Sequence, residues 1–240
     1  MLVEVCSNSL QSAINAEKAG ADRIELCSEL AVGGITPSYG LLKAVREKIT
    51  IPVRVLIRPR SGDFTYSDDE FEIIKTNIAV CKELGFQGVV SGALQSDFTL
   101  DVDRTKELVD ATKGLHFTFH RAFDWVKHPK ETLEILEDIG VDTILTSGQQ
   151  KKALDGIDLL SELNESSSNI IVMPGSGINS ENAHMFKEKG FKAIHFSAVQ
   201  MQQKLQENPM VGMNSANMLS DDFLPISHFE TIQKIVRAVK

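Results

Sequence analysis

Val3-Glu4-Val5-Cys6 and Arg23-Ile24-Glu25-Leu26-Cys27 close the first two apolar runs of the chain, each on the tripeptide Glu-x-Cys. Side chains two apart on a strand share a face. Val3 and Val5 therefore oppose Glu4 and Cys6, and Ile24 and Leu26 oppose Glu25 and Cys27. The alternation returns in Val53–Arg58, where Arg54 and Arg58 oppose Val53, Val55 and Ile57. It returns again in His116–His120, where Phe117 and Phe119 oppose both histidines. Helix-sized stretches lie between these runs. Gly20 stops the first, Thr36-Pro37-Ser38 opens the second, and Ser67-Asp68-Asp69-Glu70 caps the third with an acidic turn. Further strands are read at Gly88–Ser91, Thr143–Thr146, Ile170–Met173 and Ala193–Ser197, and a sixth helix at Lys152–Leu163. Eight strand–helix units predict one domain over residues 1–240, a single α/β barrel of the (β/α)8 or TIM type. The stretch from about 206 to 227 breaks the pattern and reads as a long loop before the last helix; loops beyond about 12–15 residues are often functional.

The 240 residues are 42% hydrophobic and 24% charged, ordinary for a soluble globular chain. A net charge of −8 argues against nucleic acid or an anionic membrane as partner. Apolar runs are strand-sized, far short of the roughly 20 residues that span a bilayer. The start Met1-Leu2-Val3-Glu4 shows no basic n-region and no cleavage site, so no secretory signal is read. Three cysteines without framework spacing fit a reducing cytoplasm, the expected location.

Strands buried on both faces normally read as continuous apolar runs. Here the apolar set must seat the helices, so the other set points into the barrel: Glu4, Cys6, Glu25, Cys27, Arg54, Arg58, His116, His120, His195 and Ser197. Such a lining is either mutually paired, Glu4 and Glu25 against Arg54 and Arg58, or built to meet a ligand. Cys6, Cys27, Arg58, His120 and Ser197 fall at strand C-termini, where barrels of this kind place their sites.

Cys6 and Cys27 are expected on neighbouring strands, about 5 Å apart laterally plus the barrel's stagger. Two thiolates with a nearby imidazole, His120, suit Cu(I) or Zn(II); buried cysteine also reads as a small apolar residue. His120-Arg121-Ala122-Phe123-Asp124 sets an imidazole beside a carboxylate, a pairing able to act as general base or metal ligand. Its plainer reading is Asp124 capping a loop. Gly175, Ser176 and Gly177 after the seventh strand, with Ser197 after the eighth, read as a backbone cup for an anion or as a tight turn. Arg54 and Arg58 are candidate clamps on the same anion. No lysine ends a strand, which disfavours Schiff-base chemistry, and no acidic rim suggests Mg²⁺. Met201, Met210, Met213 and Met218 cluster around the long loop; packing at a subunit interface is the expected use, with Cu(I) thioether binding the other.

The assembled blocks resemble the CutC family of copper homeostasis proteins. The resemblance rests on Glu4-x-Cys6, Arg23-Ile24-Glu25-Leu26-Cys27, Gly33-Gly34-Ile35-Thr36-Pro37-Ser38, Ile57-Arg58-Pro59-Arg60, Gly62-Asp63-Phe64, Phe119-His120-Arg121-Ala122-Phe123-Asp124, Leu145-Thr146-Ser147-Gly148 and His195-Phe196-Ser197. It implies a cytoplasmic barrel, often oligomeric (a dimer is expected), with copper ligated around Cys6 and Cys27. Two places depart from the family pattern: Leu94-Gln95-Ser96-Asp97-Phe98 lacks a Thr-Pro-Asp-Gly-like turn, and Ser176 replaces a glycine. Three readings follow. The chain binds Cu(I) through Cys6, Cys27 and His120. Or it is an enzyme on a small phosphorylated or carboxylated metabolite, with Glu25, His120 and Asp124 handling protons and Arg54, Arg58, Gly175, Ser176, Gly177 and Ser197 holding the anion. Or it is an interaction scaffold with a vestigial site, whose mouth is filled by ion pairs.

Overall fold

A computed structural model describes residues 1–203, 205–207, 210–213 and 223–240. Its strands and helices alternate: β1 Leu2–Ser7, α1 Leu10–Lys18, β2 Arg23–Leu26, α2 Tyr39–Lys48, β3 Val53–Leu56, α3 Asp68–Glu83, β4 Gly88–Ser91, α4 Val102–Ala111, β5 His116–Phe119, α5 Pro129–Asp138, β6 Thr143–Thr146, α6 Ile157–Ser166, β7 Ile171–Pro174, α7 Ala183–Glu188 and β8 Ala193–Phe196. Neighbours in sequence are parallel neighbours in the sheet from β1 to β7, and β8 pairs with β1. A parallel bridge from Gly175 to His195 draws β7 and β8 together. Gly175 makes a close approach at this seam: a Cβ there would lie 2.6 Å from Leu145 Cδ1, so that side chain would have to shift. The fold is the (β/α)8 barrel that the alternation predicts.

Alternation also divides the core in two. Val3, Val5, Ile24, Leu26, Val53, Val55 and Ile57 are buried in the large cluster beneath the helices. The inward residues form two small clusters instead. Leu145, Met173 and Ala193 make one; Cys6, Cys27, Leu56 and Val90 make the other. Each fully buried aliphatic side chain in the outer layer contributes about 1.5–3 kcal/mol relative to exposure. Helix starts follow the sequence signals: Ser67 and Glu70 form a reciprocal capping box at α3, satisfying N–H groups that the first turn leaves unpaired.

Two elements differ from expectation. The sixth helix starts at Ile157 rather than Lys152. Residues 147–156 instead fold back so that Gly148 and Gly156 touch backbone to backbone, with Gln149 in the left-handed region. The stretch expected as a loop from about 206 to 227 ends in a strand. β9, Val199–Gln203, pairs antiparallel with β10, Phe223–Ser227, before α8, Phe229–Val239. Pro225 within so short a run concealed it, because proline argues against a central strand and is tolerated in a two-stranded ribbon. The hairpin is seated on α1 and the turn before it: Asn8 donates to Pro225 O at 3.0 Å and Asn15 to Ser227 O at 2.9 Å. Ser227 Oγ donates to Cys6 O at 3.2 Å, which ties the hairpin to β1. Met201, Met210 and Met213 are exposed, and Met218 lies outside the described residues. Among the described residues no helix is long and apolar enough to cross a membrane.

Candidate metal and ligand site at the barrel mouth

Pairing of β1 with β2 sets Cys6 beside Glu25 in register, and pairing with β8 sets Glu4 beside His195. Cys6 Sγ lies 3.6 Å from Cys27 Sγ and donates to Glu25 Oε1 at 3.5 Å. Donor atoms of Cys6, Glu25 and His195 all lie within 4.8 Å of one another, the one such group among the described residues. Beneath it, Glu4 joins two cations: one oxygen accepts from Arg23 Nε, the other faces His195 Nδ1 at 2.8 Å.

Burial and charge set the protonation of this cluster. The hydrogen bond with Cys27, burial and the neighbouring Glu25 push the Cys6 thiol well above its ordinary range. Burial raises Glu25, against the pull of His195. Burial disfavours a charged His195, but Glu25, Cys6 and Glu4 outweigh it and raise its pKa well above the ordinary value. Burial also works to raise Glu4, and the charges of Arg23 and His195 hold it down. The resting cluster is therefore a protonated thiol beside an imidazolium–carboxylate pair.

The remaining candidates divide between mouth and scaffold. His120, four strands from β1, is not in the cluster; β8 supplies the imidazole, His195, instead. His120 Nδ1 accepts from Ala122 N at 3.3 Å, and burial with Arg58 nearby pushes its pKa down to about 3. Arg54 lies deeper and donates to Thr118 and Thr143 hydroxyls at 2.6 and 3.2 Å; burial brings its pKa down to about 10. Arg58 donates to the carbonyls of Val32, Gly34 and Gly62, fastening two loops. The alternative of a mutual network, Glu4 and Glu25 against Arg54 and Arg58, is not what forms: Arg23 and His195 meet Glu4. Asp124 accepts from Arg121, Thr146 and Ser147 and from Gln149 N, the loop-capping role. Ser176 takes the left-handed φ of +82° that explains a glycine in the family pattern, and donates to Lys151 O. Among the described residues, the N–H groups of Ser176, Gly177, Ser197 and Ala198 reach no backbone carbonyl.

A cavity of about 830 Å³ opens over this end of the barrel. Its lining includes Cys6, Glu25, Arg58, His120, His195, Ser176, Gly177 and Ser197, with Phe64, Trp125 and Phe196 as aromatic wall. A mouth filled by ion pairs, as a vestigial scaffold required, is not what the chain builds. The reading from sequence placed His195 inward but left it out of the ligand set. Barrel closure, which puts β8 beside β1, was the signal that could have included it.

Fold and cluster together define a (β/α)8-barrel protein with a thiol–imidazole–carboxylate site at its C-terminal mouth. The chain belongs to the CutC family, whose model matches residues 1–200. Family protein CutC of Pectobacterium atrosepticum is 48% identical over 198 residues, covering 82% of this chain and 79% of its own length. That of Edwardsiella ictaluri is 41% identical over 240 residues, covering 100% and 94%. The crystal structure of CutC from Streptococcus agalactiae, whose name assigns it to copper homeostasis, matches with a TM-score of 0.78 and 34% identity over 82% of this chain and 98% of that one.

Proposed function

We propose that this chain is a copper homeostasis protein that takes up Cu(I) as cargo at the barrel mouth. The observation that carries the reading is the pair of sulfurs, Cys6 and Cys27, 3.6 Å apart with Glu25 and His195 alongside. Two soft donors and an imidazole suit a soft monovalent cation better than a hard one. Cys6, Glu25 and His195 are buried yet line the mouth cavity, which gives an ion a route to them. The protein is proposed to act in the cytoplasm, as a homo-oligomer with the dimer favoured. Exposed Met201 and Leu224 on the hairpin fit an interface use.

Uptake must displace the Cys6 proton, because thiolate is the ligand and the resting thiol is protonated. Apparent Cu(I) affinity therefore rises with pH. Titration against a competing Cu(I) chelator tests this. Cys6→Ser and Cys27→Ser are each expected to weaken binding by more than about tenfold, or 1.4 kcal/mol. Equal affinity in the wild type and Cys27→Ser contradicts the reading.

The cavity favours a second reading, an enzyme acting on a small phosphorylated or carboxylated metabolite. Its volume of about 830 Å³ far exceeds an ion and falls among pockets for small molecules. Glu25 and His120 line it as candidate proton-handling groups, and Gly177 and Ser197 offer N–H groups at its rim.

A further inference from the structure

Five buried side-chain polar atoms lack a hydrogen-bond partner among the described residues. Three of them, Glu25 Oε2, Arg58 Nε and His120 Nε2, belong to residues that line the mouth cavity. Unpaired buried polar atoms are rare in folded proteins, and their gathering around one cavity points to a ligand.

Arg58 is 5% exposed; its terminal nitrogens bond backbone carbonyls, and the Tyr66 hydroxyl lies beside the guanidinium. Among the described residues no carboxylate pairs with it. Asp63 acts on its charge only from a distance; a guanidinium withdrawn from water without a directly paired anion is costly, and an anion in the adjoining cavity lowers that cost. His120 is equally buried, at 5%. Its Nδ1 accepts the Ala122 N–H, so in the neutral ring the proton sits on Nε2, a donor with nothing to receive it. Gly92 fixes this ring's place, since a Cβ there would lie 3.0 Å from His120 Nδ1 and Cε1. Phe64 packs against both groups, its ring centre 4.7 Å from that of His120 and 4.9 Å from the Arg58 guanidinium. Its edge-on neighbour at 4.9 Å is Trp125.

We infer that the mouth cavity binds a small organic carboxylate whose oxygens are received by Arg58 and His120 and whose body rests against Phe64 and Trp125. The planar carboxylate matches guanidinium geometry, and the aromatic wall takes an apolar body that inorganic phosphate lacks. Glu25 lies across the ring on β2 and completes the pocket from the cysteine side. The inference rests on the metabolite reading of the cavity and is independent of copper.

The test uses the full chain, with acetate, pyruvate and benzoate as probes, benzyl alcohol as neutral control and inorganic phosphate as competing anion. Binding is read by calorimetry and by the ¹⁵N shifts of the His120 ring. At least one carboxylate is expected to bind and move the His120 Nε2 resonance, with no response to benzyl alcohol. His120→Phe is expected to weaken that carboxylate by about tenfold while leaving Cu(I) affinity unchanged. Three silent carboxylates, or equal affinity in His120→Phe, overturn the inference. If that variant does not fold, the wild-type ¹⁵N shifts decide alone. Phosphate binding at Gly177 and Ser197 in crystals, with His120 unmoved by any carboxylate, overturns it too but leaves the metabolite reading standing.

Discussion

Glu4 is fully buried, and both its oxygens are engaged, one by Arg23 and one by His195. Removing one partner from a buried charge group leaves the others uncompensated, which costs about 3–5 kcal/mol. Glu4→Gln keeps the shape and loses the charge, so urea unfolding is expected to show a loss of that order. An unchanged midpoint contradicts the role given to Glu4. The sign with pH follows from the shift. Glu4 is held below 4.5, so its contribution is fully present above about pH 4.5 and fades as acid protonates the folded carboxylate. His195 is raised above 6.5, so its contribution is present below about pH 6.5 and is lost only when alkali deprotonates the folded ring. Alternation alone revealed that Glu4 points inward. Its partner was also legible: Arg23 has the parity of Glu25 and Cys27, yet its place at the very start of β2 hid it. The partners of Arg58 were not legible, because backbone carbonyls of loops leave no trace in residue type.

The loop after β2 shows how an element holds the site. Gly34 has φ +87°, and a Cβ there would lie 2.6 Å from Leu56 Cδ2 and 3.3 Å from Cys27 Cβ. Its carbonyl receives Arg58 at 3.0 Å. Gly34→Ala is expected to destabilise the fold by about 1–3 kcal/mol through crowding and left-handed strain. Because Cys27 is crowded along with Leu56, Cu(I) affinity is expected to fall with it. Thermal unfolding and chelator competition on the one variant check both, and a wild-type Tm contradicts the crowding. Strands at this scale were readable because a half-apolar alternation repeats. The 3-10 turn Leu30–Val32 and the folded-back segment before α6 were not, since carbonyl-bonded turns leave little trace in residue type, and β10 was not, since it depends on pairing with β9.

Closing the ring is what assembles the site. His195 and Glu4 stand 191 positions apart in sequence and 2.8 Å apart in space. Cys6 and Cys27 are likewise joined only by the β1–β2 pairing. The barrel itself was legible from eight repeated units, and so was the thiol pair; which imidazole joins it is decided by the seam where β8 meets β1. Sulfur ligation by this pair is the central claim, and the exposed methionines Met201, Met210 and Met213 are the rival sulfur source. X-ray absorption at the copper edge of the Cu(I)-loaded chain, in the wild type and in Cys6→Ser/Cys27→Ser, separates them. Two sulfur scatterers with one nitrogen or oxygen are expected in the wild type, and the sulfur shell is expected to vanish in the double variant. A sulfur shell that survives the double substitution, or a wild-type shell of nitrogen and oxygen alone, contradicts copper binding at the barrel mouth.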